Sequence, residues 1–318
     1  MKAMREAYGE ALVELGKINS NVVVLDADVS SSTRSILFKN AFPDRFFNVG
    51  IAEGNMVSIA AGLAATGKIP FVNTFALFLA LRAGDPVRSL IAYNKLNVKL
   101  AGAYGGLSDS YDGASHQSVE DVSVMRAIPN MTVIVPADEH AAKQVVFAAV
   151  RHAGPVYFRL SRAEVPPVYR PDMFFEIGKA IVVRPGQDVS IFANGYMLTK
   201  SLEAAELLAQ EGIQAEVIDM HTVKPLDNEA VVCSLTKTGA AVTVEEHSVY
   251  GGLGSAVAEV LAKHRLGPLE IVGIADKFGE SGAYEDLLTK YGLDKTAIVR
   301  AAKTAIAASQ PRTRQHTA

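Results

Sequence analysis

The chain has 318 residues, with 31 lysines and arginines against 34 aspartates and glutamates, and its formal net charge is -3. This near balance argues against a dedicated nucleic-acid binder, which carries a basic surplus, and against a disordered chain. The length and a hydrophobic fraction of 49% predict two domains, each with its own core. Cys233 is the single cysteine, and the most apolar stretch, residues 69–81, is too short to cross a bilayer. We therefore expect a cytoplasmic protein with neither a nucleic-acid nor a membrane partner.

Short apolar runs alternate with helical patterns through the first half of the chain. The predicted strands are residues 21–26, 46–49, 69–73, 98–103, 132–135 and 156–160. The predicted helices are residues 53–65, 76–93 and 139–152. Continuous apolar strands that are separated by helices indicate a parallel sheet covered on both faces.

A segment with three prolines, residues 162–171, interrupts this alternation and is typical of a connection between domains. The later predicted strands are residues 189–193, 216–220, 241–245 and 270–274. The later predicted helices are residues 196–210, 228–236, 253–264 and 284–291. The predicted fold is α/β with two doubly wound domains: a mainly parallel-sheet domain at 1–165, a smaller α/β domain at 174–309, and a tail at 310–318.

Two glycine-rich segments resemble phosphate loops but lack the required context. The segment from Gly62 to Lys68 runs from a helix into a strand and has Ile69 where a P-loop has a hydroxyl group, so Gly67 more plausibly ends the helix. The pair Gly252 and Gly254 lacks the third glycine of a dinucleotide fingerprint. The histidines are scattered and there is one cysteine, so we predict no metal site built by this chain alone.

Two segments are unusually polar for their positions. Residues 48–56 (NVGIAEGNM) follow a predicted strand and open an alanine-rich helix with Glu53 in its first turn. Residues 111–117 (YDGASHQ) close a long glycine-rich loop that contains His116. Each has an ordinary explanation, because an acidic residue complements a helix dipole and a loop histidine often only forms hydrogen bonds. The alternative is that both segments carry function, as loops on rigid scaffolds often do.

Six motifs together resemble one known family. NVGIAEGNM, PFVNTFALFL and YDGASHQ, in this order and spacing, resemble the pyrimidine-binding domain of the transketolase family. VIDMHTVKPLD, TVEEHSVYGGLGSAV and DKFGESGAYEDLLTKYGL are similar to the family's C-terminal domain. The resemblance covers residues 4–308, and it implies a thiamine diphosphate pyrimidine-binding domain followed by a transketolase C-terminal domain.

The resemblance implies roles for several residues toward thiamine diphosphate. The carboxylate of Glu53 matches the group that hydrogen-bonds the aminopyrimidine ring and favours its imino tautomer, which makes Glu53 a predicted cofactor-binding and catalytic residue. Phe75 and Phe78 match aromatic positions that face the aminopyrimidine. Leu81 stands where many relatives have a tyrosine. Asp28 matches an acidic residue near the thiazolium ring.

The resemblance also implies a set of substrate residues. His116 matches a histidine that meets the hydroxyl and carbonyl oxygens of the donor sugar, where it can polarise the carbonyl or move protons. Asp112 matches a position that hydrogen-bonds a substrate hydroxyl. Ser32 and Arg162 stand where relatives bind sugar phosphates, although Ser32 is aligned only to within one residue and Arg162 can also be a solvated linker charge. Tyr104 replaces a histidine that related enzymes often have.

The family holds the diphosphate and its Mg²⁺ in another domain, marked by Gly-Asp-Gly and a later asparagine. The sequence has Gly84-Asp85-Pro86 instead, without an asparagine at the family's spacing. A diphosphate needs a cation and backbone donors. The resemblance therefore implies an N-terminal transketolase subunit that supplies this domain and holds Mg²⁺, with this chain dimerising inside a heterotetramer.

The predicted function is that of the C-terminal subunit of a split transketolase. Such an enzyme is a transferase of carbohydrate metabolism that moves a two-carbon ketol unit from a ketose phosphate to an aldose phosphate, as in the pentose phosphate pathway. The alternatives are the beta subunit of a 2-oxoacid dehydrogenase, a 1-deoxyxylulose-5-phosphate synthase-like enzyme, and a binding module without catalysis. The segments DGASHQ and KFGESG favour the transketolase.

Overall fold

The computed structural model describes residues 2–309, so the predicted tail at 310–318 lies outside the described residues. The strands are β1 (Lys2–Ala3), β2 (Val22–Asp26), β3 (Phe46–Asn48), β4 (Ile69–Phe75), β5 (Lys99–Ala103), β6 (Thr132–Ile134), β7 (Val156–Leu160), β8 (Glu164–Val165), β9 (Ile181–Arg184), β10 (Val189–Ala193), β11 (Ala215–Asp219), β12 (Thr222–Lys224), β13 (Ala241–Ser248) and β14 (Leu269–Ile274). The helices are α1 (Met4–Ile18), α2 (Ser30–Thr33), α3 (Ile36–Ala41), α4 (Glu53–Ala65), α5 (Gly84–Pro86), α6 (Asp121–Ala127), α7 (Glu139–Arg151), α8 (Met197–Gln210), α9 (Asn228–Thr238), α10 (Leu253–His264), α11 (Tyr284–Lys290) and α12 (Lys295–Ser309).

A seven-stranded sheet forms the centre of the first half, in the order β12-β6-β7-β5-β4-β2-β3. Its neighbours are parallel except for β12, which is antiparallel to β6. Strand β2 shows how both faces are covered: Val22 and Val24 pack in the cluster that contains α1, while Val23 and Leu25 pack in the cluster that contains α4. Because side chains alternate along a strand, an all-apolar strand fills two cores at once.

The second half folds around a five-stranded sheet in the order β14-β13-β10-β11-β9. Its strands are parallel except for β9, which is antiparallel to β11. The predicted fold class, an α/β protein with two mainly parallel sheets, is confirmed. The boundaries at 165 and 174 stay a prediction, and β12 of the second half completes the sheet of the first.

The predicted helix at residues 76–93 is wrong as a single helix. The structure instead has a π-helical turn at Phe78–Arg82, then the short helix α5, and then a second π-helical turn at Val87–Ala92. Gly84 and Pro86 explain the break, because glycine is a poor helix former and proline lacks the N–H group that a helix needs. Strand β4 extends to Phe75, two residues beyond its predicted end.

Neither glycine-rich segment forms an open phosphate loop. Gly67 follows α4 with a φ of +88°, as expected for a residue that ends a helix. At the start of α10, the backbone N–H groups of Leu253 and Gly254 donate to the carboxylate of Glu245 at 2.8 and 2.9 Å. This helix terminus is therefore already occupied by a side chain of the protein itself. Among residues 2–309, no helix has the length and apolar character needed to cross a membrane.

Candidate active site

The candidate site lies at the carboxyl ends of the adjacent parallel strands β2, β4 and β5. Asp28 follows β2, Phe75 ends β4, and Tyr104 follows β5. Open α/β sheets bind their ligands outside the carboxyl ends of the strands. The sheet topology therefore brings together side chains that are far apart in the sequence.

Four rings form one continuous aromatic cluster. The rings of Phe75 and Tyr104 stack with centroids 4.7 Å apart and an interplanar angle of 16°. The ring of Phe78 lies 5.6 Å from that of Phe75. The imidazole of His116 meets both phenylalanines edge-on, at 5.8 Å and 5.3 Å. We call these four residues the aromatic wall, which joins two predicted cofactor residues, Phe75 and Phe78, to two predicted substrate residues, Tyr104 and His116. Tyr104 has a left-handed backbone with a φ of 62°.

Glu53 begins α4 and is buried, with 5% of its surface exposed. Its Oε1 atom accepts a hydrogen bond from Nη1 of Arg82 at 3.3 Å. The guanidinium carbon of Arg82 also lies 3.7 Å from the centroid of the Phe78 ring. A planar hydrogen-bond donor therefore sits on the face of Phe78 and binds the Glu53 carboxylate.

This arrangement tests whether the residues fit an aminopyrimidine. A flat heteroaromatic ring needs an aromatic face to stack on and, beside its ring nitrogen, a carboxyl group that can share a proton with it. Phe78 provides the face and Glu53 the carboxyl group, since the planar Arg82 group lies over that face and within hydrogen-bond distance of that carboxyl group. The residues fit the pyrimidine half of thiamine diphosphate. The hydrophobic cluster around Phe75 and Phe78 includes Val29 and Leu77, whereas Leu81 is 52% exposed. The predicted role of Leu81 in binding the cofactor therefore stays a prediction.

Two arginines from opposite ends of the first half flank Tyr104. Nη1 of Arg5 donates to the Tyr104 hydroxyl at 2.6 Å and to the backbone oxygen of Ser32 at 3.2 Å. The guanidinium carbons of Arg5 and Arg162 lie 5.6 Å and 5.1 Å from the centroid of the Tyr104 ring. The pairing of Ala3 in β1 with Glu164 in β8 holds the two arginines on the same side of the sheet. The guanidinium groups of Arg5 and Arg162 therefore both lie near Tyr104, with Arg5 bound to Ser32, and we call this arrangement the arginine corner.

Arg162 has a specific partner and is not a solvated linker charge. Its Nη1 atom binds Oδ1 of the buried Asp109 at 2.5 Å. Burial raises the pKa of Asp109, the nearby Asp112 carboxylate adds to this effect, and Arg162 opposes it. The two aspartates are therefore close to each other, and Asp112 remains exposed on the open side of the loop.

The turn that follows β2 is fixed by the side chain of Asp26. Oδ2 of the buried Asp26 accepts hydrogen bonds from the Thr33 and Ser35 hydroxyls at 3.0 and 2.8 Å. Burial raises the pKa of Asp26 in spite of these bonds. Asp28, with a φ of 66°, accepts a hydrogen bond from Nδ2 of Asn48 at 2.8 Å. Asp26 thus holds the turn from which Asp28 projects.

Sequence reasoning missed Arg5 and Arg82. Arg82 lies four residues after Phe78, a spacing that places two side chains on the same side of a helical turn. That spacing could have identified it. Arg5 gives no such signal, because its neighbours in the site are 27 and 99 positions away. Residues 2–309 contain no cluster of three or more metal-ligating side chains.

Comparison with known proteins identifies the family. The model of the transketolase pyrimidine-binding domain matches residues 1–167, and that of the transketolase C-terminal domain matches residues 178–298. The chain belongs to the transketolase family. Members of this family depend on thiamine diphosphate.

Three transketolase-family proteins illustrate the similarity. A solved structure titled "Split gene transketolase, inactive beta4 tetramer" is 51% identical, has a TM-score of 0.90, and is matched over 97% of this chain and 99% of its own. A protein of Methanocaldococcus jannaschii with the provisional name transketolase C-terminal section is 47% identical over 94% of this chain and 95% of its own length. A 6-deoxy-6-sulfo-D-fructose transketolase subunit of Clostridium sp. is 45% identical over 94% and 93%.

Proposed function

We propose that this chain is the C-terminal subunit of a split, thiamine diphosphate-dependent transketolase. In this role it transfers a two-carbon ketol unit from a ketose phosphate to an aldose phosphate. The observation that carries the proposal is the buried Glu53 beside the face of Phe78, with His116 on the same aromatic wall. The similarity to split-gene transketolases along nearly the whole chain supports it.

Each residue of the aromatic wall has a distinct task in the proposed reaction. Glu53 shares a proton with the ring nitrogen of the aminopyrimidine through a hydrogen bond, while Phe78 fixes the plane of that ring. When bound, the cofactor supplies the electron sink that a ketol transfer needs. His116 faces the donor carbonyl and moves protons at its oxygen. Phe75 and Tyr104 exclude water from this side.

The corner formed by Arg5 and Arg162 binds the anionic end of the sugar. Guanidinium groups suit a phosphate because they offer several donors in a fixed plane. The Ser32 hydroxyl and the exposed Asp112 carboxylate then meet the remaining oxygens and hydroxyls of the substrate. Tyr104 takes part by holding Arg5 through its hydroxyl.

The diphosphate and Mg²⁺ are held by a separate N-terminal subunit in this proposal. We expect the purified chain alone to show no transfer from xylulose 5-phosphate to ribose 5-phosphate. Adding a diphosphate-binding chain of the family should restore transfer. Full activity of the single chain would contradict the split assignment. Turnover of pyruvate with an electron acceptor, in place of sugar transfer, would favour the 2-oxoacid dehydrogenase alternative.

The change Glu53→Gln tests the catalytic assignment. We expect the reconstituted enzyme to lose activity by about a hundredfold or more, because glutamine cannot share the proton. Glu139→Gln is a matched control, since Glu139 also begins a helix of 13 residues. The control should keep its rate within about twofold. An unchanged rate in the Glu53 variant, measured at saturating cofactor, would show that Glu53 is not catalytic.

A further inference from the structure

The loop that carries Asp112 and His116, residues 105–118, is held by both domains, and the C-terminal domain contacts it at three points. We call it the histidine loop. It follows β5 of the first sheet, and most of its residues are buried. Two separate elements of the C-terminal domain reach it: strand β13 and the segment 276–283 between β14 and α11.

Glu246 of β13 anchors the beginning of the loop. Its Oε1 atom accepts a hydrogen bond from the backbone N–H of Leu107 at 2.6 Å, and its Oε2 atom accepts one from the Tyr284 hydroxyl at 2.9 Å. Gly106 has a φ of 65°, and any side chain there would collide with the Glu246 carboxylate. Glycine is therefore required for the loop to approach this close.

Segment 276–283 anchors the middle and the end of the loop. The backbone N–H of Gly282 donates to the Ser110 oxygen at 2.9 Å. Nε2 of the buried Gln117 donates to the Glu280 oxygen, also at 2.9 Å. These two bonds involve Ser110 and Gln117, which lie on either side of residues 111–116. Within that stretch Asp112 is exposed and His116 is half-buried. The anchored residues are thus buried and the predicted substrate residues project from between them.

We propose that the C-terminal domain acts in the reaction by clamping the histidine loop, and that Gln117 is a positioning residue for His116 and Asp112. The inference rests on the proposed function and adds a role for a domain that contributes none of the predicted cofactor or substrate residues. Gln117 follows His116 directly in the chain, so the bond from Gln117 to Glu280 fixes the backbone from which the imidazole projects. The three contacts hold the loop in one conformation before substrate binds. Less conformational entropy is therefore lost when substrate binds.

The change Gln117→Met tests the clamp, because methionine keeps the length of the side chain and removes the donor. Gln144→Met is the matched control: Nε2 of Gln144 also donates to a backbone oxygen, that of Pro171, far from the loop. Hydrogen exchange is measured on the purified chain, after thermal unfolding has shown that the variants fold. We expect peptides within 105–118 to exchange about tenfold faster in Gln117→Met and unchanged in Gln144→Met. If the methionine variant does not fold, Gln117→Glu replaces it, since a carboxylate cannot donate to the Glu280 oxygen.

Kinetics of the reconstituted enzyme then separate positioning from mere stability. We expect kcat/KM for the ketose phosphate donor to fall about tenfold in the Gln117 variant, with an unchanged Kd for thiamine diphosphate, because Glu53 and Phe78 are not touched. A loop that exchanges at the wild-type rate, or a faster loop with an unchanged kcat/KM, would overturn the inference. An inactive wild-type complex would instead contradict the proposed function, and the exchange measurement would still decide whether the clamp exists.

Discussion

Arg5 and Arg162 flank a single tyrosine ring, which predicts how the proposed transketolase recognises a phosphorylated substrate. The change Arg5→Gln should raise KM for a phosphorylated donor by about 10- to 100-fold, because a charge-assisted hydrogen bond is lost, and should leave kcat nearly unchanged. Arg151→Gln, at the exposed end of α7, serves as the control. A Michaelis constant that does not move would show that the phosphate binds elsewhere.

Arg82 leads to a second prediction at the scale of single residues. Its guanidinium covers Phe78 and binds Glu53, the two groups that we assign to the aminopyrimidine. Removing it with Arg82→Met should lower the Kd for thiamine diphosphate a few-fold, because the cofactor no longer displaces a bound cation. Fluorescence titration of the reconstituted enzyme measures this constant, with the exposed Arg88→Met as the control. Weaker cofactor binding would mean that Arg82 supports the ring instead of competing with it.

At the scale of elements, the limits of sequence reasoning follow from what each residue contacts. Helix α4 was predicted with both ends correct, because Glu53 and Gly67 give local signals for its start and its end. The break in the predicted helix at residues 76–93 was not predicted, because apolar residues recur on both sides of Gly84 and Pro86. The corner around Tyr104 was only half predicted, because Arg5 reaches it through the pairing of β1 with β8, which no local pattern shows.

Two glycines within helices predict opposite effects on stability. A Cβ atom at Gly62 of α4 would meet nothing within 4 Å, whereas one at Gly16 of α1 would lie 2.5 Å from the Phe42 ring. Gly62→Ala should raise the free energy of unfolding by about 0.5–1 kcal/mol through its higher helix propensity. Gly16→Ala should lower it by about 1–3 kcal/mol through overpacking. Urea unfolding of the chain alone compares the two, and equal effects would contradict the packing of α1.

For the whole molecule, one buried lysine predicts how the free energy of unfolding depends on pH. Burial lowers the pKa of Lys99 to about 7, and its Nζ atom donates to the His152 and Gly154 oxygens at 2.8 Å. Between pH 7 and the ordinary lysine value of 10.5, the unfolded chain therefore binds more protons at this residue than the folded one, so stability rises with pH. From pH 7 to pH 9 the gain is roughly 2 kcal/mol. Lys99→Met should abolish most of the rise in urea unfolding, whereas the exposed Lys263→Met should keep it.

The position of β12 has a consequence for how the chain is made. A ribosome releases the first six strands of the seven-stranded sheet well before residues 222–224, so the edge of β6 stays unpaired while about sixty further residues are added. An open strand edge readily pairs with another chain. A fragment cut at the proline-rich segment would keep that edge permanently open. The second domain therefore covers this edge of the first sheet only after residues 222–224 have been made, and β12 then remains its outermost strand.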